Sequence, residues 1–163
     1  GTQIMNIPSV PLGPFTIFIV FRAGNSVALL YEQSVNANTN AGCYMATDNG
    51  QTILANRSSV QDGKGYTAGW GFGNVWLIAA VSFDGTGAGH RFFVNGVLKA
   101  MTTNIAGNPG LATVVDTLFV GARSGPTVGL VGNIAEMIVY NSALQTQYIA
   151  GVFNYLNRKW AVY

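Results

Sequence analysis

Apolar residues fall in short runs along this chain, and two runs are almost unbroken. Phe15-Thr16-Ile17-Phe18-Ile19-Val20-Phe21 and Val75-Trp76-Leu77-Ile78-Ala79-Ala80-Val81 hold a single polar residue between them. A strand with one solvated face alternates apolar and polar side chains, so a strand apolar throughout is covered on both faces. The remaining runs are shorter and separated by turn-forming residues. They predict strands at Val27–Gln33, Gly42–Thr47, Gln51–Ala55, Arg91–Val94, Val97–Met101, Thr117–Ala122 and Val131–Tyr140. Asp48-Asn49-Gly50 and Asn95-Gly96 mark tight hairpins, because Asn and Gly accept positive φ. Ser34–Ala41, Arg57–Gly65 and Thr102–Thr113 read as loops. Only the end of the chain changes period. Leu144, Tyr148, Ile149, Val152, Tyr155 and Leu156 share one face of a helix. Asn141 or Ser142 is placed to cap its start, and Arg158 and Lys159 suit the dipole of its last turn.

This pattern predicts an all-β fold, an antiparallel β-sandwich with one C-terminal helix that docks on it. No internal repeat or linker interrupts it, so residues 1–163 form one domain, alone or within a longer polypeptide. The expected core is Phe15, Phe18, Val20, Leu77, Ala79, Val81, Phe93, Phe119, Ile134, Ile138 and Leu156.

Composition narrows the setting. Only 9% of residues are charged, against 49% hydrophobic, and 21 are glycine; an average domain is about 25% charged. Little charge repulsion keeps copies of such a surface apart, which suits a domain within a larger assembly or outside the cell. The net charge is +2, and the basic residues form no stripe, which argues against nucleic acid as a partner. No apolar run approaches the ~18 residues of a membrane-spanning helix. No secretion signal is readable at the start. The single cysteine, Cys43, excludes an internal disulfide and reads as a small buried hydrophobe.

Several stretches, taken in order, carry a resemblance. They are Phe15-Thr16-Ile17-Phe18-Ile19-Val20-Phe21-Arg22, the Trp76 strand with Phe83-Asp84-Gly85-Thr86-Gly87, the Phe93-Val94-Asn95-Gly96-Val97 hairpin, Gly132-Asn133-Ile134-Ala135-Glu136-Met137-Ile138-Val139-Tyr140-Asn141, and Tyr155-Leu156-Asn157-Arg158-Lys159-Trp160. Together they resemble the concanavalin A-like lectin/glucanase superfamily in its laminin G-like jelly-roll branch, a domain also seen in phage structural proteins. The resemblance implies a jelly roll and leaves open sugar binding, adhesion, virion architecture or hydrolysis. Two departures stand out. Members of the family have a strand upstream of the Phe15 strand, where this chain has only Gly1–Pro14. The helix usually opens on Ser or Asp, where this chain has Gln145.

The chemistry-bearing residues are sparse. Glu32, Asp48, Asp62, Asp84, Asp116 and Glu136 are scattered, whereas glycosidases flank one bond with paired carboxylates roughly 5 Å apart. His90 has no nucleophile motif beside it, and one histidine with one cysteine is not a zinc site. Some laminin G-like domains bind calcium, and Asp116, Asp84 and Asp48 are available for it. No ligand cluster is readable, so neither a metal nor another cofactor is expected. Asn56-Arg57-Ser58 is a sequon with meaning only in a secreted eukaryotic protein. The best recognition candidate is Tyr66–Gly73, where Tyr66, Trp70 and Phe72 alternate with glycines and Asn74 follows. Such rings stack on sugars, or else fold back onto the sandwich or into a neighbouring subunit.

The expected function is therefore a non-enzymatic structural or attachment module of a larger assembly. Its most concrete form is a phage virion surface, decoration or fibre protein. The alternative is a carbohydrate-binding, lectin-like module of a secreted enzyme or adhesin. Expected partners are other protein subunits, as a homo-oligomer or larger assembly with the Gly1–Pro14 arm as a contact, and glycans. The expected location is a virion surface or the extracellular space.

Overall fold

The structure, a computed structural model, describes residues 5–24, 28–33, 42–48, 52–58, 64–67, 74–85, 91–100, 102–104, 114–122 and 129–163. Its strands are β1 (Met5–Leu12), β2 (Phe15–Ala23), β3 (Ala28–Gln33), β4 (Gly42–Asp48), β5 (Thr52–Ser58), β6 (Lys64–Thr67), β7 (Trp76–Phe83), β8 (Arg91–Val94), β9 (Val97–Lys99), β10 (Thr102–Asn104), β11 (Val114–Val120) and β12 (Gly132–Tyr140). One helix, α1 (Thr146–Trp160), follows. The strands form two antiparallel sheets packed as a jelly-roll sandwich. The large sheet has the order β1-β11-β3-β4-β5-β6-β10 and the small one β12-β2-β7-β8-β9.

The two unbroken apolar runs are β2 and β7, neighbours at the centre of the small sheet. They pair without a bulge from Phe15↔Phe83 to Arg22↔Trp76. Phe15, Ile17, Ile19 and Phe21 point between the sheets, with Leu77, Ala79, Val81 and Phe83 beside them and Leu30, Met45, Leu118 and Val120 from the large sheet. Phe18, Val20, Ile78, Ala80 and Phe93 point the other way, onto Ile149, Phe153 and Leu156 of α1. Each strand thus contributes to two cores, which is why neither alternates in sequence. The Phe18 ring meets Phe153 edge-on at 5.4 Å.

The polar ends of these strands seat the helix. The Thr16 hydroxyl donates to the Ser142 carbonyl at 2.9 Å and accepts from the Leu144 amide at 2.9 Å. Arg91 donates to the Leu144 carbonyl at 2.7 Å and to the Thr146 hydroxyl at 3.0 Å. The turn between β8 and β9 places Asn95 at φ 48° and Gly96 at φ 79°, as its sequence predicts. The Asn95 side chain accepts the Ile78 amide at 2.9 Å, locking the hairpin to β7.

The structure corrects several expectations. The arm before Pro14 contains β1, which pairs with β11, so the upstream strand is present. Pro8 and Pro11 conceal it in the sequence, and both are tolerated because β1 is an edge strand. Thr102–Asn104 is a strand against β6, and Lys64 and Gly65 belong to β6 rather than to a loop. Phe119 is only partly buried; its neighbours Leu118 and Val120 fill the core instead. The helix buries Ile149, Phe153 and Leu156, while Tyr148 and Tyr155 stay 57% and 50% exposed. Neither Asn141 nor Ser142 caps it. The cap position is Gln145, which makes no side-chain cap bond and whose carbonyl accepts the Tyr148 and Ile149 amides. The Asn49-Gly50 turn lies outside the described residues, and Cys43 falls on β4, its side chain outside them.

Candidate functional site

Helix α1 and the residues that open it cover the small sheet's outer face from Thr16 and Ser82 to its middle and leave the opposite end exposed. At the end nearest the last helical turn, the pairing sets Asn133, Arg22 and Trp76 side by side on β12, β2 and β7. The guanidinium of Arg22 donates to the Asn133 side-chain oxygen at 2.8 Å and lies over the Trp76 ring at 5.5 Å. The ring stays 37% exposed. No carboxylate among the described residues pairs with Arg22, and its Nε is buried without an acceptor. The result is a flat indole beside a pinned cation that no described carboxylate neutralises, and an exposed amide. Stacking on the ring face and donation from the guanidinium are both available to a polar ligand.

Glycine 132 makes this row possible. A Cβ there would overlap the Arg22 carbonyl oxygen, so β12 reaches β2 at this end only through a residue without a side chain. One pair further along, Glu136 accepts from the Trp160 indole at 2.6 Å and pairs with Lys159 at 3.0 Å. Lys159 in turn lies over the Tyr155 and Trp160 rings at 5.6 and 5.4 Å.

Of the residues named from sequence, the structure places Asn74 at this same end. It is exposed, at φ 63°, two positions before Trp76. Tyr66 lies on β6 with its side chain outside the described residues, and Trp70 and Phe72 are outside them altogether. Sequence reasoning missed Arg22, Trp76 and Asn133. Each sits in an ordinary strand motif, and only the register makes them neighbours.

Among the described residues the acids do not converge. Glu136 is held by Lys159 and Trp160, Asp84 is exposed, and Glu32 is 2% exposed within β3. Asp48 and Asp116 lie on β4 and β11 with side chains outside the described residues, and Asp62 and His90 are outside them. Among the described residues no three His, Cys, Asp or Glu gather into a metal site, and no helix is long and apolar enough to cross a membrane.

A second feature lies along the flank of the sandwich. A cleft of about 800 Å³ opens between β1 and β12, lined by Met5, Ile7, Ile134, Met137 and Val139 and also by Asn133 and Glu136.

The fold is that of a lectin-like jelly-roll domain. Residues 16–150 match the laminin G-like family described as the concanavalin A-like lectin/glucanases superfamily, and the chain belongs to that family. No curated protein matches the chain in sequence. The native heptameric SAP-like pentraxin of Limulus polyphemus superposes with a TM-score of 0.70 at 13% identity, over 94% of this chain and 78% of its own. The CBM40 domain of the Ruminococcus gnavus IT-sialidase, bound to alpha2,3 sialyllactose, gives 0.64 at 17% identity, over 94% of this chain and all 100% of its own. The botulinum neurotoxin serotype D binding domain gives 0.61 at 14% identity, over 94% of this chain and 40% of its own. At these identities the likeness is one of fold.

Proposed function

We propose that this chain is a non-enzymatic glycan-recognition module whose binding surface is the open sheet end at Asn133, Arg22 and Trp76, extended by Asn74. The observation that carries this reading is the exposed Trp76 ring backed by Arg22, itself pinned by Asn133. A sugar ring stacks its C–H face on an indole and takes hydrogen bonds from fixed donors at the ring's edge. The fold supports it: the sialidase module above is bound to sialyllactose, and the toxin domain is a binding domain. Tyr66, Trp70 and Phe72, which precede Asn74 in the sequence, are kept as proposed ligand contacts on their composition alone. A non-catalytic role fits Glu136, whose carboxylate is already engaged by two partners, with no second acid beside it among the described residues.

The test is a glycan array on the purified domain, repeated with Trp76→Ala and Trp70→Ala. Selective binding that Trp76→Ala abolishes, with the thermal melt nearly unmoved, is the expected result. An array with no binder would overturn the reading, and so would binding that survives Trp76→Ala.

The attachment reading keeps one specific support. Val97 and Leu98 on β9, at the far edge of the small sheet, are 56% and 59% exposed. Exposed apolar residues of this kind mark a protein contact. A glycan-reading module carried on a larger extracellular or virion-surface assembly unites the two. The virion form of it rests on composition and the sequence resemblance, while the completed β1 removes the argument from a missing strand.

A further inference from the structure

We propose that the free edge of β12 accepts an extended peptide segment of another protein as an added strand, whose alternate apolar side chains fill the cleft between β12 and β1. Among the described residues of the small sheet, those that pack on the core while staying partly exposed lie on its edge strand β12. Ile134, Met137 and Val139 point between the sheets but remain partly exposed, whereas their partners Phe21, Ile19 and Ile17 on β2 are fully buried. The two sheets are out of step by one strand. β2 packs against β3, which sets β12 across from β11 and leaves β1 without an opposing strand. The cleft of about 800 Å³ is the space that strand would occupy.

The two edges on this flank differ in kind. Pro8 and Pro11 interrupt the hydrogen-bonding row of β1, the usual protection of an edge. β12 has neither proline nor lysine, and among the described strands it pairs with β2 alone. Its outer row of amides and carbonyls repeats every second residue, which an extended backbone matches. Its single charge, Glu136, is already engaged by Lys159 and Trp160. The β12 side chains that face the core here are Ile134, Met137 and Val139, so the inward side chains of the occupant are apolar and uncharged. The β-bulge between Ile134 and Glu136 limits regular pairing to Glu136–Tyr140.

A second copy of this chain does not fit. β1 overhangs β12 by one strand, about 4.8 Å, so two copies brought edge to edge through β12 collide through their β1 strands first. A lone strand enters without that collision.

The probe is a capped peptide of about six alternating valines and threonines, titrated into the whole domain. Its controls are the same peptide N-methylated at the pairing amides and one with aspartate for valine. Binding with slowed amide exchange across Glu136–Tyr140 is expected. N-methylation and Met137→Lys should each weaken it about tenfold or more, the value of one or two lost backbone hydrogen bonds or of a charge in an apolar cleft. Trp76→Ala should leave it unchanged. Absence of binding at millimolar peptide overturns the proposal, as does binding indifferent to N-methylation. A concentration-dependent dimer that Met137→Lys dissolves overturns it in favour of a second copy. If Met137→Lys proves unfolded by circular dichroism, the N-methyl comparison on the unaltered chain decides.

Discussion

The indole N–H of Trp160 and the ammonium of Lys159 converge on one carboxylate oxygen of Glu136, at 2.6 and 3.0 Å. This contact latches the last turn of α1 to β12. Burial raises the Glu136 carboxyl, but the Trp160 and Lys159 hydrogen bonds and the lysine charge outweigh it and hold the group below its ordinary 4.5. The hydrogen bond to Glu136 holds Lys159 above its ordinary 10.5.

A pH dependence follows. With a depressed folded value, the Glu136 contribution is whole above the ordinary carboxyl value and disappears as pH falls through the folded one. With a raised folded value, the Lys159 contribution is whole below 10.5 and disappears as pH rises through the folded one. Melting temperature against pH should show a small advantage of the natural chain over Glu136→Gln at neutral pH, shrinking as pH drops below 4.5. An equal gap at every pH would remove the ionic part of the latch.

Phe153 is the anchor of the helix. It is 1% exposed and touches both Phe18 and Phe93. Phe153→Ala should cost about 3–5 kcal/mol in urea unfolding. Tyr148→Ala, on the 57% exposed side chain, should stay within about 0.5 kcal/mol. Equal costs would mean that the helix docks on another face.

Gly132→Ala should destabilise the domain by about 1–3 kcal/mol, as overpacking does. The added Cβ meets the Arg22 backbone, which cannot swing aside as a side chain can. Gly151→Ala is the control, since a Cβ there meets nothing within 4 Å. Hydrogen exchange should locate the loss at the Asn133 end of β12.

The helix ends on a left-handed residue, Ala161, at φ 50° and ψ 54°, its amide donating to the Asn157 carbonyl at 2.8 Å. Left-handed geometry strains an alanine and not a glycine, so Ala161→Gly should stabilise the domain by roughly 1 kcal/mol. The Asn157 side chain accepts the Val162 and Tyr163 amides at 3.0 and 2.9 Å. Asn157→Ala should cost about 1 kcal/mol and speed exchange of those two amides.

The parts of the fold legible in sequence were those with a local cause. The unbroken runs of β2 and β7 announced a sheet covered on both faces, and Asn95-Gly96 announced its turn. The helix was legible as a helix, but its buried face was drawn too far toward Tyr148 and Tyr155. A tyrosine counts as apolar in a periodicity yet keeps its hydroxyl in water, while Phe153 marks the true centre. β1 was hidden by two prolines that only an edge position tolerates. The sheet-end site was not legible, because Arg22, Trp76 and Asn133 meet through register between strands far apart in the chain. Asn74 alone connects it to the Tyr66–Asn74 segment singled out by composition.

The pairing of β2 with β12 also sets a timetable. β2 is among the first strands made on the ribosome, and its partner at the sheet edge is the last, with α1 emerging later still. Phe18 and Val20 therefore wait for their cover until Ile149, Phe153 and Leu156 have been synthesised. Closure between such distant segments is slow. A nascent chain stalled before α1 would present the apolar β2 and β7 to aggregation or to chaperones.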